Sequence, residues 1–283
     1  MIDVNAFEKE LNSTTPVLEW KETQLYQNWQ RKVSANNDFL IALSPSSRTS
    51  GSGSGKTTLA VTLAERMDDT AEGFDAETKA TLDAGDLAYQ ILPNVEPGSA
   101  VIFDEAQGAP GTTSVNARRG MKSEALDAIN GILANRDKNL TLIVVVQQLA
   151  MLDKLLYPML DAWLLITADP TEPQGPECVH HTLMTNDYNL KDPQIKTPAH
   201  EKLVWDDLPP DSDNYAEMER KKDAAKRKKE ESDESSMVDS LTTRERDRLI
   251  AERAEQGVGQ KILAEAFDIS QPRVSQIIKE YDG

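Results

Sequence analysis

Apolar residues fall in short, nearly unbroken blocks along the first two-thirds of the chain. The blocks are residues 39–43 (Phe-Leu-Ile-Ala-Leu), 100–103 (Ala-Val-Ile-Phe), 140–146 (Leu-Thr-Leu-Ile-Val-Val-Val) and 162–166 (Ala-Trp-Leu-Leu-Ile). Blocks this short, without polar alternation, predict strands buried on both faces, as in a parallel sheet covered by helices. Residues 59–67 carry an amphipathic helical pattern, and residues 152–160 are an apolar segment leading into the fourth block. From Cys178 to Met184 the pattern alternates, which predicts a strand, and residues 186–191 read as a turn between two late strands. Trp20, Tyr26 and Trp29 recur at near-helical spacing and predict a helical extension, residues 1–37, whose aromatic rings pack on the core. The fold class is therefore α/β with a parallel sheet, over residues 38–208.

The character of the chain then changes. Residues 209–240 open with Pro209-Pro210 and run into a stretch of Lys, Arg, Glu and Ala that cannot bury a core, so they read as a charged helix or linker. Its basic cluster, Lys221, Lys222, Lys226, Arg227, Lys228 and Lys229, reads as a solvated face or a tracker of DNA phosphates.

Residues 241–283 form a small all-α module. Thr242 or Thr243 caps a helix over residues 244–255, and Gly257 and Gly259 end it. Residues 260–278 are similar to the helix-turn-helix pattern. Leu263, Phe267, Ile269, Val274 and Ile277 are apolar where two crossed helices must touch, and Ala264 is small where they approach closely. Asp268 stands at the turn, Ser270 caps the second helix, and Pro272 suits its first turn. A recognition helix over residues 271–281 would offer Gln271, Arg273 and Gln276 to base edges, and Ser275 and Lys279 to phosphates, with Ser270 at its start. A three-helix bundle for protein contacts is the competing reading.

Candidate chemistry begins directly after the first apolar block. Residues 50–58 read Ser-Gly-Ser-Gly-Ser-Gly-Lys-Thr-Thr. Strand, glycine-rich loop, Gly-Lys-Thr and helix, in that order, are what a phosphate-binding P-loop requires. Unsatisfied backbone N–H groups at a helix N-terminus favour a triphosphate, and glycine lets the backbone wrap closely. Gly51, Ser52, Gly53, Ser54 and Gly55 would cradle the phosphates, Lys56 would reach the β and γ positions, and Thr57 would hold Mg²⁺, with Thr58 toward the α-phosphate. Ser50 stands where the full motif has glycine.

The second block ends in Asp104-Glu105. Carboxylates at the C-terminal end of a buried parallel strand lie where open α/β sheets bind ligands. Asp104 suits a Mg²⁺-holding acid, and Glu105 a base that polarises the attacking water. The third block ends in Gln147, placed to contact the γ-phosphate or that water, or simply to cap the strand.

The Gly-Lys-Thr loop, Phe103-Asp104-Glu105-Ala106, Ala134-Asn135-Arg136-Asp137, a strand ending in Gln147, Leu152-Asp153 and a further strand together resemble the FtsK–HerA superfamily over roughly residues 35–170. That group holds DNA translocases, conjugative coupling ATPases and viral genome-packaging ATPases. The resemblance implies a RecA-like P-loop NTPase core, Mg²⁺ with ATP, and assembly of identical subunits as a hexameric ring. It also implies an arginine reaching the γ-phosphate from a neighbouring subunit. Arg118, Arg119 and Arg136 are the candidates, and Arg136 is favoured.

Composition changes this picture in two ways. With 48 acidic against 31 basic residues the net charge is −17, unusual for a chain expected to meet DNA. The acids are spread along the chain, which suits a surface adapted to a salt-rich cytoplasm. No apolar stretch reaches the ~20 residues that span a membrane, and Met1-Ile2-Asp3-Val4 lacks a signal-peptide start. The single cysteine, Cys178, rules out an intrachain disulfide. Cys178, His180, His181 and His200 make a weak metal pattern, because the strand reading explains the first three.

The expectation is a cytoplasmic, or if viral a virion-associated, ATPase that moves double-stranded DNA and is loaded by the helix-turn-helix. The alternative is an ATP-switched DNA-binding regulator or partition-type protein without translocation.

Overall fold

A computed structural model describes residues 19–47, 55–104, 131, 138–152, 154–168, 176–185, 195–205, 212–267 and 269–281. The chain divides into two compact units, Met1–Lys226 and Arg227–Gly283. The long helix α3, Asp213–Glu255, belongs to the first as far as Lys226 and to the second from Arg227.

The first unit is mixed α/β, built on a seven-stranded, mostly parallel sheet. Its strands are β1 (Phe39–Pro45), β2 (Ala80–Thr81), β3 (Ala100–Phe103), β4 (Thr141–Val145), β5 (Ala162–Ala168), β6 (Glu177–His181) and β9 (Ala199–Val204). The order is β2-β3-β4-β1-β5-β6-β9, and β7 (Met184–Thr185) pairs with β8 (Ile195–Lys196) apart from it. The first five strands are parallel, and β6 and β9 close one edge antiparallel.

Alternate residues of each central strand serve opposite cores, as the pleat requires. Phe39, Ile41 and Leu43 of β1 join Ile102 and Ile143 in a core beneath α1 (Gln24–Val33) and α2 (Lys56–Met67). Leu40 and Ala42 join Val101, Phe103, Leu142 and Val144 in a second core with Leu87, Leu92, Leu152 and Leu156. Two-sided burial is the reason these strands read as unbroken apolar blocks. The apolar segment before β5 forms 3₁₀ turns, Leu149–Met151 and Lys154–Met159.

Helix α1 is capped by the Thr23 hydroxyl, which accepts from Tyr26 N at 3.1 Å, and by Glu201, which accepts from Gln24 N and Leu25 N at 2.7 and 2.8 Å. Its Trp29 packs into the first core and donates to Thr141 Oγ1 at 2.9 Å, and Tyr26 lies 5.5–5.6 Å from both Trp20 and Trp29. Trp29 is thus a core aromatic, and the half-buried Trp20 and Tyr26 pack against that core.

In the second unit the end of α3, α4 (Gln260–Ala266) and α5 (Gln271–Tyr281) meet around Ile250, Leu263, Val274 and Ile277. Phe267 and Ile269 pack against that cluster. Gly257, at φ +85°, ends α3 in the left-handed conformation that favours glycine, and the N–H groups of Gly257 and Val258 close back on Ala254 O and Arg253 O. No helix among the described residues is long and apolar enough to cross a membrane.

Candidate nucleotide site

Parallel strands bring all their C-terminal ends to one edge of the sheet, and of the described candidates Lys56, Thr57, Asp104 and Gln147 lie there. β1 ends at Pro45 and α2 starts at Lys56, directly after Gly55. Gly55 has φ +75°, and its carbonyl accepts the first helical bond, from Leu59 N at 2.9 Å. An L side chain there would be strained. Lys56, Thr57 and Thr58 make the first turn of α2, where N–H groups lack helical partners and the dipole is positive. The helix is fixed from below, because Leu59, Ala60, Leu63, Ala64 and Met67 are all buried in the first core.

Asp104 follows β3 at the same edge. Its backbone N–H donates to Thr81 O at 2.9 Å, and its side chain is 2% exposed. The Thr57 hydroxyl lies 3.5 Å from Asp104 Oδ2. A carboxylate this buried needs compensation. It comes from Lys222 of α3, whose Nζ sits 3.2 Å from Asp104 Oδ2 and also donates to Thr57 Oγ1. Glu219 pairs with the same ammonium at 3.2 Å. Burial alone would lower the pKa of Lys222, but the Asp104 and Glu219 carboxylates overcome it and hold it above the usual lysine value. A hydroxyl and a carboxylate oxygen are the donors that a hard cation such as Mg²⁺ prefers. The pair already faces a cation, the ammonium, so Thr57 and Asp104 fit Mg²⁺.

Lys222 is the site residue that sequence reasoning missed, since it lies in a run of like residues. One signal could have found it. Met218 is the sole large aliphatic side chain of residues 213–226, and one helical turn on from it is Lys222. Met218 is fully buried in the first core.

Gln147 lies two residues past β4, which the sheet order places between β1 and β3. It is half-buried at the same edge as Thr57 and Asp104. Ser50, Gly51, Ser52, Gly53, Ser54, Glu105, Ala106, Arg118, Arg119, residues 134–137 with Arg136, and Asp153 lie outside the described residues, as do Asp268 and the turn expected at residues 186–191.

In the second unit, Ser270, Gln271, Gln276 and Lys279 are exposed and Ser275 is half-buried. Arg273 is engaged within the unit, with Nη2 3.2 Å from Asp247 Oδ2 and Nη1 3.9 Å from Glu280. Gln276 donates to Glu280 at 3.0 Å.

Cys178, His180 and His181 lie on β6 and His200 on β9. Cys178 is a core residue, and burial pushes its thiol pKa up. His180 meets Glu201 at 3.0 Å. No three His, Cys, Asp or Glu side chains among the described residues are grouped to hold a metal.

No protein-family model and no curated protein matches the chain. Among solved structures it is similar to the N-terminal domain of zonular occludens toxin from Neisseria meningitidis, at 16% identity over 57% of this chain and 94% of that one, with a TM-score of 0.37. It is also similar to the genome packaging NTPase B204 of Sulfolobus turreted icosahedral virus 2 in complex with ATP-gammaS, at 14% identity over 56% of this chain and 96% of that one, with a TM-score of 0.30.

Proposed function

We propose that this chain is an ATP-hydrolysing, DNA-associated motor that translocates, packages or transfers double-stranded DNA. The observation that carries the hydrolase reading is the meeting of Thr57 and Asp104 at the C-terminal edge of a parallel sheet, directly behind Gly55-Lys56. Lys56 binds the β- and γ-phosphates, and the backbone from Gly51 to Thr58 wraps the triphosphate. Thr57 and Asp104 hold Mg²⁺, which neutralises phosphate charge when bound. Glu105 orients and deprotonates a water that attacks the γ-phosphorus. The bond to the β–γ bridging oxygen breaks, and ADP and phosphate leave. Gln147 positions that water, and Arg136 of a neighbouring copy stabilises the developing charge in a homo-oligomer, a hexameric ring by resemblance.

Residues 241–283 bring the motor to DNA as a helix-turn-helix. Ser270, Gln271, Ser275, Gln276 and Lys279 face the duplex, and Arg273 joins them by giving up Asp247. The acidic surface suits a salt-rich compartment.

The test is ATP hydrolysis by the full chain with and without long duplex DNA, in low and in molar KCl. Strong stimulation by duplex of any sequence is expected, with turnover lost and ATP retained in Glu105→Gln. A footprint at one short site with little stimulation would instead favour an ATP-switched DNA-binding regulator. Absence of hydrolysis under all these conditions would overturn the enzyme reading.

A further inference from the structure

We propose that the first turns of α3 are an autoinhibitory strap, and that the Lys222 ammonium is a built-in competitor for the cation of the incoming cation–nucleotide complex. The inference rests on the reading of Thr57 and Asp104 as the cation-holding pair.

Three observations carry it. The first is position. Lys222 Nζ contacts both Thr57 Oγ1 and Asp104 Oδ2, the two oxygens whose chemistry suits a hard cation. Its side chain is only 17% exposed, so this is not a surface lysine resting on a convenient acid.

The second is that the strap is fastened independently of Lys222. Met218 is fully buried in the core shared with α2. The Asn214 amide donates to Glu65 Oε1 at 2.9 Å and accepts from Ala76 N at 2.9 Å. Lys221 donates to Glu77 O at 2.8 Å and Ala80 O at 2.6 Å. These groups fix the helix so that the turn after Met218 delivers Lys222 to the sheet edge.

The third is charge. An ammonium and a divalent cation cannot share one pair of oxygens, because their repulsion at contact distance in a buried site is large. Exchange of one for the other, however, keeps a positive charge beside Asp104 Oδ2 throughout, as a buried carboxylate favours. The strap therefore supplies the positive charge beside Asp104 and sets a threshold that an incoming cation must exceed.

The experiment uses the full chain and Mn²⁺ alone, its free signal followed by electron paramagnetic resonance. Lys222→Met should bind Mn²⁺ at least about tenfold more tightly than the parent, the scale expected when a charge-assisted bond that competes for the site is removed. Lys222→Arg, which keeps the cation, should stay close to the parent. Adding Asp104→Asn to Lys222→Met should erase the gain. Unchanged or weaker Mn²⁺ binding in Lys222→Met would overturn the proposal, and so would a gain that survives Asp104→Asn. A fluorescent ATP analogue separates this from the site reading. Lys56→Ala that keeps its affinity for the analogue refutes the nucleotide site, whereas Lys56→Ala that loses it, beside an unaltered Mn²⁺ affinity in Lys222→Met, refutes the strap alone.

Discussion

At the N-terminal edge of the sheet, Asp161 accepts from Leu40 N at 3.0 Å and pairs with Lys32 at 2.7 Å, and Asp38 accepts from Leu140 N at 2.7 Å. At the C-terminal edge, Asp104 faces the Thr57 hydroxyl and the Lys222 ammonium. The residue type and the sheet are the same, but the backbone differs. Strand starts present N–H donors that satisfy a carboxylate, whereas strand ends present carbonyls that cannot. A carboxylate at the first edge is complete within the architecture, while one at the second calls for a cation. Under the proposed function, that difference separates the structural aspartates from Asp104.

The largest effect that bears on the comparison should come from Lys56→Ala. Loss of the ammonium proposed to bind phosphate is expected to weaken ATP at least about a hundredfold, as read by titration of a fluorescent ATP analogue. Unaltered affinity would take the chemistry away from the C-terminal edge. Next, Asp104→Asn should weaken Mg²⁺-dependent binding of the same analogue by about tenfold or more, since a neutral amide is a poor partner for a hard cation.

Asp161→Asn is the matching change at the other edge. It should leave analogue binding at the parental value while lowering unfolding free energy by about 1–3 kcal/mol in urea titrations, through loss of the Lys32 pair and weakening of the bond from Leu40 N. If the two asparagine variants behaved alike in the binding assay, the division between the edges would collapse.

The smallest effect concerns Glu201, a third architectural carboxylate, on β9. Burial raises its pKa, but bonds from His180, Gln24 N and Leu25 N outweigh that and hold it below the ordinary 4.5. A carboxylate whose folded pKa is depressed adds stability above its unfolded value and loses it as pH falls through the folded one. Glu201→Gln should therefore cost about 1–2 kcal/mol near neutral pH, and the difference from the parent should shrink below about pH 4.5. A gap that is constant with pH would show that the charge of Glu201 does not matter.

The central strands were legible because burial on two faces writes an unbroken apolar block, as in 39–43 and 140–146. β2 writes no such block, since Ala80–Thr81 is two residues long. β9 was obscured by Glu201, which is buried where alternation leads one to expect an apolar side chain, because it caps α1 from inside. At the site, Lys56, Thr57 and Asp104 were readable from motif and strand end. Lys222 was not, because its neighbours Lys221 and Lys226 have the same chemistry, and only the buried Met218 singles it out.

By itself the sequence determined whatever depends on near neighbours. The Gly55-Lys56-Thr57 order sets a helix start after a strand, and an acid follows the apolar block of β3. These are properties of dihedral preference and periodicity within a few residues. Only the tertiary structure placed β4 between β1 and β3, brought Thr57 within 3.5 Å of a carboxylate 47 residues away, and laid Lys222, 165 residues from Thr57, across both. It also turned Arg273 toward Asp247. Strand order and helix docking are decided by how two cores fill on opposite faces of one sheet, a balance over distant residues that no local pattern records.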